Sequence, residues 1–278
     1  MGVPRAIGVF DAGVGGLTVL RALLESLPEE PTVYLGDTAR VPYGTRSPDV
    51  VVRYAINNAR TLLEQAPLKA LVVACNTASA VALGPLAEAL PIPVVGVIEA
   101  GARAATAACP NPGGVLVLGT AGTVRSGAYP AALRRAGFSG PVYVRACPLL
   151  VPLVEEGWLE GDITDLVVER YLRDLEDDVA TVVLGCTHYP LLRRVIADAI
   201  ARRCGHEVPV VDGGVATAEE LRALLLHRDA LVPKSAPPPS HRVLVTDAPE
   251  QMAALAPRFL GRSLAATEVE LVDVVMSA

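Results

Sequence analysis

What this chain can fold into is constrained most by a recurrence: short apolar runs of strand-forming residues, separated by stretches with helical spacing. The runs are IGVF (7–10), TVYL (32–35), ALVVA (70–74), PVV (93–95), VLVL (115–118), VYV (142–144), TVVL (181–184), VPVV (208–211) and VLVT (243–246). A strand with one wet face alternates apolar and polar residues; these do not. Runs apolar throughout, interleaved with helices, call for α/β architecture in which mostly parallel sheets are covered on both faces. Local signals agree. Ser47 and Pro48 offer a cap and a proline for the first helical position. Thr217 to Glu220 reads as a capping box ahead of LRALLLH. The segment PKSAPPPS (233–240) holds too many prolines for either element and reads as a loop.

With 278 residues, 51% of them hydrophobic and 19% charged, the chain has material for one large or two modest packed domains. The net charge of −6 comes with no block of Lys or Arg, which argues against a nucleic-acid partner. No window holds ~20 uninterrupted apolar residues, and MGVPRAIGVFDAG lacks the apolar core of a signal peptide. Ala6 stands where a myristoylation motif needs Ser or Thr. A soluble, cytoplasmic protein without membrane attachment is expected. Five scattered cysteines with no C-x-x-C pattern fit neither a disulfide framework nor a zinc site, so no metal is expected. Cys109, Cys147 and Cys204 read as small buried apolar residues.

Cys75 and Cys186 differ from these three. Each directly follows an apolar run, in VVACNTA and VVLGCTHYP. A weak internal repeat relates their surroundings: IGVFDAGVGGLTV (7–19) resembles VLVLGTAGTVRSG (115–127) as strand, small-residue turn and helix start. From Ile7 to Cys75 is 68 residues, and from Val115 to Cys186 is 71. Two similar α/β halves, related by a pseudo-twofold axis, would each hold one thiol at the carboxyl end of a strand, where open sheets of this kind bind ligands. The reading is a first domain of residues 1–97 and 210–278 and a second of residues 98–209, with the active site in the cleft between them. At the start of a helix, Cys75 is expected to have its pKa lowered by the dipole and the free N–H groups, and those N–H groups suit a carboxylate.

Simpler readings compete at each motif. FDAGVGGLT (10–18) fails the dinucleotide fingerprint at Thr18, and no phosphate loop of the GK[ST] type exists. A tight glycine turn explains the stretch, with Asp11 free to orient a cation or assist a base. Asp37, after TVYLG, imitates a ribose ligand without the glycines that would go with it. Tyr43 by default is core, while Gly44 allows close backbone approach to a ligand. Asn76 and Thr77 suit a helix start. Glu155 and Glu156 read as a solvated face. His188 stands near Cys186, as in a thiol hydrolase, but that reading leaves Cys75 idle.

The motifs FDAGVGGLTV, GDTARVPYGTRS, VVACNTASA, PVVGVIEAGARAA, ACPLLVPLVEEG and LGCTHYPLL, in this order, resemble those of the glutamate racemases of the aspartate/glutamate racemase family, over nearly the whole chain. The resemblance implies cofactor-independent interconversion of L- and D-glutamate, supplying D-glutamate for peptidoglycan, and a homodimer. It implies that Cys75 deprotonates one enantiomer and Cys186 the other. Asp11 and His188 would assist them, with Glu155 as an auxiliary acid. Asp11, Ala12, Tyr43, Gly44, Asn76, Thr77, Thr187 and His188 would bind the amino acid. The chemistry fits the residues: two bases on opposite sides of a planar carbanion invert a centre without turning the substrate. Only Lys69 and Lys234 are available for a pyridoxal Schiff base, so no cofactor is expected. An aspartate-type racemase and a non-catalytic amino-acid-binding module remain as alternatives.

Two positions depart from the family pattern. Gly213 and Gly214 replace residues that are usually Ser or Pro and Ala, with no consequence evident from sequence. Ala12 replaces a serine whose hydroxyl touches the substrate. Restoring it in Ala12→Ser should strengthen binding by about 1 kcal/mol, or about fivefold in KM. Steady-state assays of both proteins check this, and identical KM and kcat would reject it.

Overall fold

The computed structural model describes residues 5–233 and 238–274. Its strands are β1 (Ala6–Asp11), β2 (Thr32–Gly36), β3 (Leu68–Val73), β4 (Val94–Gly96), β5 (Gly114–Gly119), β6 (Val142–Ala146), β7 (Val179–Gly185), β8 (Val210–Asp212), β9 (His241–Val245) and β10 (Val269–Leu271). They form two sheets, ordered β10-β9-β2-β1-β3-β4 and β6-β5-β7-β8. Every pair is parallel. The helices are α1 (Leu17–Ser26), α2 (Pro48–Gln65), α3 (Asn76–Ala89), α4 (Val97–Ala108), α5 (Ala121–Ser126), α6 (Ala128–Arg135), α7 (Leu150–Glu155), α8 (Asp162–Tyr171), α9 (Arg193–Cys204), α10 (Gly213–His227) and α11 (Pro249–Leu260). None of the described helices is long and apolar enough to cross a membrane.

The order β2-β1-β3-β4 of the first sheet recurs as β6-β5-β7-β8 in the second. Even an irregularity recurs: the register slips between Ala6 and Ile7 where β1 meets β3, and between Gly114 and Val115 where β5 meets β7. The repeat seen in sequence is therefore a repeat of topology. The period of two along β1 explains why its run is apolar throughout. Phe10 points to the core under α2 and α3, while Ile7 and Val9 point to a core that continues into the second sheet. Helices α1, α4 and α10 carry that continuity, burying Leu20, Ala102, Ala105 and Leu221.

The helix starts need one correction. The capping box at Thr217–Glu220 is not formed. α10 begins five residues earlier, capped by Asp212, whose carboxylate accepts the Gly214 N–H at 2.8 Å. Thr217 lies inside the helix and its hydroxyl donates back to the Gly213 carbonyl at 2.6 Å. The early start depends on Gly213: a Cβ there would stand 2.9 Å from the Val97 carbonyl, so only glycine lets α10 approach α4 this closely. Ser47 does occupy the cap position of α2 with Pro48 following, though its hydroxyl makes no capping bond.

Val210–Asp212 pairs with β7 in the second sheet, and the chain's next strand, β9, lies in the first sheet beside β2. The VPVV run fills the place in the second sheet that PVV fills in the first. The edge strand β10 was not expected from sequence. Of the PKSAPPPS segment, Pro233 and residues 238–240 carry neither helix nor strand, and residues 234–237 lie outside the described residues.

Candidate active site

The central strands of each sheet end at one place. Asp11 ends β1, and Cys75 stands two residues beyond β3, in the cap position of α3. Gly119 ends β5, and Cys186 directly follows β7. Both thiols are nearly buried, at 7% and 6% exposure, and both line one cavity of ≈ 350 Å³. Asp11, Ala12, Tyr43, Gly44, Asn76, Thr77, Glu155, Thr187 and His188 line it too. The sequence-read site residues thus meet in one cleft. No Lys or Arg of the described residues lines it. A carboxylate entering would find the start of α3 and the hydroxyls of Thr77, Thr120 and Thr187.

The first half approaches the second through missing side chains. At Gly15 a Cβ would lie 2.3 Å from the Thr187 hydroxyl and 2.5 Å from the His188 ring. Thr18, at the start of α1, donates to the Thr187 carbonyl at 2.9 Å. The Thr77 hydroxyl lies 2.9 Å from that of Thr120, which lies 3.0 Å from that of Thr123. Tyr129 donates to the Asn76 side chain at 2.8 Å. These contacts cross between the sheets and orient the polar groups at the start of α3.

Asp37 does not reach the cavity. It is fully buried, and its carboxylate accepts from Arg40 at 2.7 Å, from Thr246 at 3.1 Å, from Asn58 at 3.3 Å and from the Tyr43 hydroxyl. It fixes the loop that brings Val41, Tyr43 and Gly44 to the site. The ribose-ligand reading is thereby replaced by an anchoring one.

The two thiols have unlike neighbours. Burial pushes the Cys75 thiol up, and the Asp11 charge adds to this; the N–H groups of Ala78 and Ala12 oppose both without prevailing. The pKa-lowering expected of a helix start is therefore outweighed by desolvation. Asp11 is itself raised by burial, against the Gly13 N–H, which donates to Oδ2 at 3.0 Å, and the His188 charge. Its Oδ1 is buried with no hydrogen-bond partner among the described residues. On the other side, His188 Nδ1 lies 3.9 Å from the Cys186 sulfur and Nε2 lies 2.9 Å from Glu155 Oε1. Burial pulls His188 down, but Cys186 and Glu155 reverse this and raise it to about 10.

Sequence reasoning missed Thr18, Thr120, Tyr129 and the wall supplied by Gln251, Met252 and Leu255 of α11. Thr120 was within reach, since the repeat aligns it with Ala12. The α11 residues gave no signal beyond an ordinary amphipathic helix.

An α/β protein with one thiol at equivalent strand ends of two repeated sheets is the class this fold and cleft define. The sequence model of the Asp/Glu/hydantoin racemases matches residues 7–221, and the chain belongs to that family. Among its relatives, a glutamate racemase of Geobacter metallireducens is 50% identical over 94% of each chain. Among solved structures, a glutamate racemase isoform from Bacillus anthracis superposes with a TM-score of 0.89 at 39% identity, covering 97% of this chain and 98% of that one. A glutamate racemase from Francisella tularensis, solved in complex with D-glutamate, gives a TM-score of 0.87 at 35% identity over 97% and 98%.

The His188 pair has a defined pH signature. Its folded value lies above the unperturbed ~6.5, so its contribution to stability is full below about pH 6.5 and is lost as pH rises through about 10. Glu155→Gln removes the carboxylate that favours the imidazolium. The His188 midpoint, followed by NMR, should fall below about 10 in that variant; an unmoved midpoint would show that Glu155 contributes nothing.

Proposed function

We propose that this chain interconverts L- and D-glutamate without a cofactor, by proton removal on one side of Cα and proton delivery on the other. The observation that carries this reading is that Cys75 and Cys186, from different sheets, line one small cavity. One thiolate takes the Cα proton and the opposite thiol returns one; the roles reverse with direction. Asp11 and His188 serve these exchanges on the Cys75 and Cys186 sides. Burial and the Asp11 charge favour the protonated form of Cys75. A substrate ammonium near the unpartnered Asp11 Oδ1 offsets that charge and eases ionisation of the thiol. The carboxylates are received by the start of α3 and the threonine hydroxyls, with Tyr43 and Gly44 closing the cavity from their loop.

Glutamate is favoured over aspartate by the identity to glutamate racemases across most of the chain. Lys69 is engaged by Glu30 and by the Ala230 carbonyl and does not line the cavity. The division into a unit of residues 1–97 with 210–278 and a unit of 98–209 belongs to this proposal, with β8 lent to the second sheet and α10 as the segment that joins the two. Supply of D-glutamate for peptidoglycan, a cytoplasmic location and a homodimer belong to the same reading. Exposed Trp158, Ile163 and Leu166 are apolar surface that a second copy would cover. A mass near twice 29.0 kDa in sedimentation equilibrium is expected, and a monomer at all concentrations would remove that part.

Incubation with L-glutamate in D₂O, with no cofactor added, tests the central claim. D-glutamate carrying deuterium at Cα is expected. Exchange of aspartate alone would point to the aspartate-type reading, and exchange of neither to a binding module. Cys75→Ser and Cys186→Ser should each lose about 10²- to 10⁴-fold in kcat; full activity in either would refute the two-base scheme.

A further inference from the structure

Helix α11 follows β9 of the first sheet, yet one face of it is turned to the second half of the molecule. Gln251, Met252 and Leu255 form part of the cavity wall. One to two turns further on, Phe259 stands edge-on to the His188 ring, with centroids 5.2 Å apart at 80°. Beside it, Arg258 Nη1 donates to the Val154 carbonyl at 2.9 Å and to the Glu155 carbonyl at 2.5 Å. These two carbonyls are the last of α7, a six-residue helix; the Val154 carbonyl also accepts the Gly157 N–H at 3.1 Å, while the Glu155 carbonyl lies at the end of the last turn and meets Arg258. The Glu155 side chain leaves from this same last turn to meet His188 at 2.9 Å. The contact is close on every side: a Cβ on Gly157, just after α7, would lie 2.5 Å from the Arg258 guanidinium.

We propose that Arg258 is a positioning residue for proton transfer at Cys186. By holding the final carbonyls of α7 from the opposite half, it keeps the Glu155 carboxylate on His188. This rests on the two-thiol reading for its consequence in catalysis, but the positioning itself does not require turnover. A Glu155 free of its carbonyl anchor would turn outward, since its side chain is already 41% exposed, and a half-solvated pair loses most of its worth. The titratable and charged groups facing His188 are Cys186 from the end of β7, Glu155 from α7 and Asp11 from the end of β1. Arg258 of α11 acts on it through Glu155. Removing Arg258 alters the second of these and leaves the others in place.

The test uses the full chain with ¹⁵N-labelled histidine. Only four histidines are present, and the His188→Gln spectrum assigns the signal. In Arg258→Met, the His188 midpoint should fall by about one unit or more from its value of about 10. The alkaline limb of kcat should move the same way. Arg258→Lys, which keeps one charged nitrogen for the two carbonyls, should leave both nearly in place. In a Glu155→Gln background, Arg258→Met should produce no further shift, because its route runs through that carboxylate. If Arg258→Met fails to fold, Arg258→Gln is scored in its place by the same readouts. A lower Tm with an unmoved His188 midpoint would reduce Arg258 to a structural tie and overturn the proposal. So would a midpoint shift that persists in the Glu155→Gln background. A midpoint that shifts as expected in a protein that exchanges no Cα proton supports the positioning and refutes only the racemase reading.

Discussion

The site depends on a close approach of backbone between two halves of the molecule. Gly15, in the turn after β1, lies against Thr187 and His188 with no room for a side chain. Thr18 then ties α1 to the Thr187 carbonyl. Only at this separation do the ends of β3 and β7 share one cavity, with water largely excluded from both sulfurs. Burial follows from the approach, and the electrostatics of the site follow from burial. Desolvation is the first cause acting on Asp11, Cys75 and His188 alike. What differs among them is how each is compensated.

Asp11 is under-compensated: one oxygen has the Gly13 N–H and the other has no hydrogen-bond partner among the described residues. A buried carboxyl oxygen without a donor costs about 1–3 kcal/mol. A ligand with an ammonium group would satisfy it. His188 is over-compensated by Cys186 and Glu155, and holds its proton well above the usual range. The cavity therefore keeps a place for a cation near one thiol and holds a cation of its own near the other. An α-amino acid, with its ammonium beside the carbon to be deprotonated, suits such a division. With no Lys or Arg along the described cavity wall, a carboxylate there would meet helix-start N–H groups and hydroxyls, which do not add a fixed positive charge.

Much of this was legible in the sequence because it was carried by local pattern. The apolar runs mark strands since a strand covered on both sides admits no polar alternation, and the repeat survives in IGVFDAG and VLVLGTAG because each must make the same strand-to-helix turn. Cys75 and Cys186 are found from the same logic. What was not legible depends on partners distant in sequence. Asp37 looks like a ligand until Arg40, Tyr43, Asn58 and Thr246 are seen to surround it. Thr217 looks like a cap until Gly213 is seen to let α10 start earlier against α4. The elevated Cys75 thiol has the same origin: the helix start is written in ACNTA, but the burial that outweighs it is a property of the closed cleft.

Duplication alone would give two equivalent half-sites, and the chain departs from that at a few positions. In the repeat, Asp11 corresponds to Gly119 and Thr77 to His188. The carboxylate is present only beside Cys75, and the imidazole only beside Cys186. The C-terminal part of the chain enlarges the difference, since β9, β10 and α11 have no counterpart in the second sheet. Through Phe259 and Arg258, α11 touches the His188 side. A reaction that handles mirror-image substrates needs two thiols equivalent in position. It does not need them equivalent in environment, because each thiol acts on a different enantiomer. Position is supplied by the repeated sheets, and the differences in charge by the residues that break the repeat.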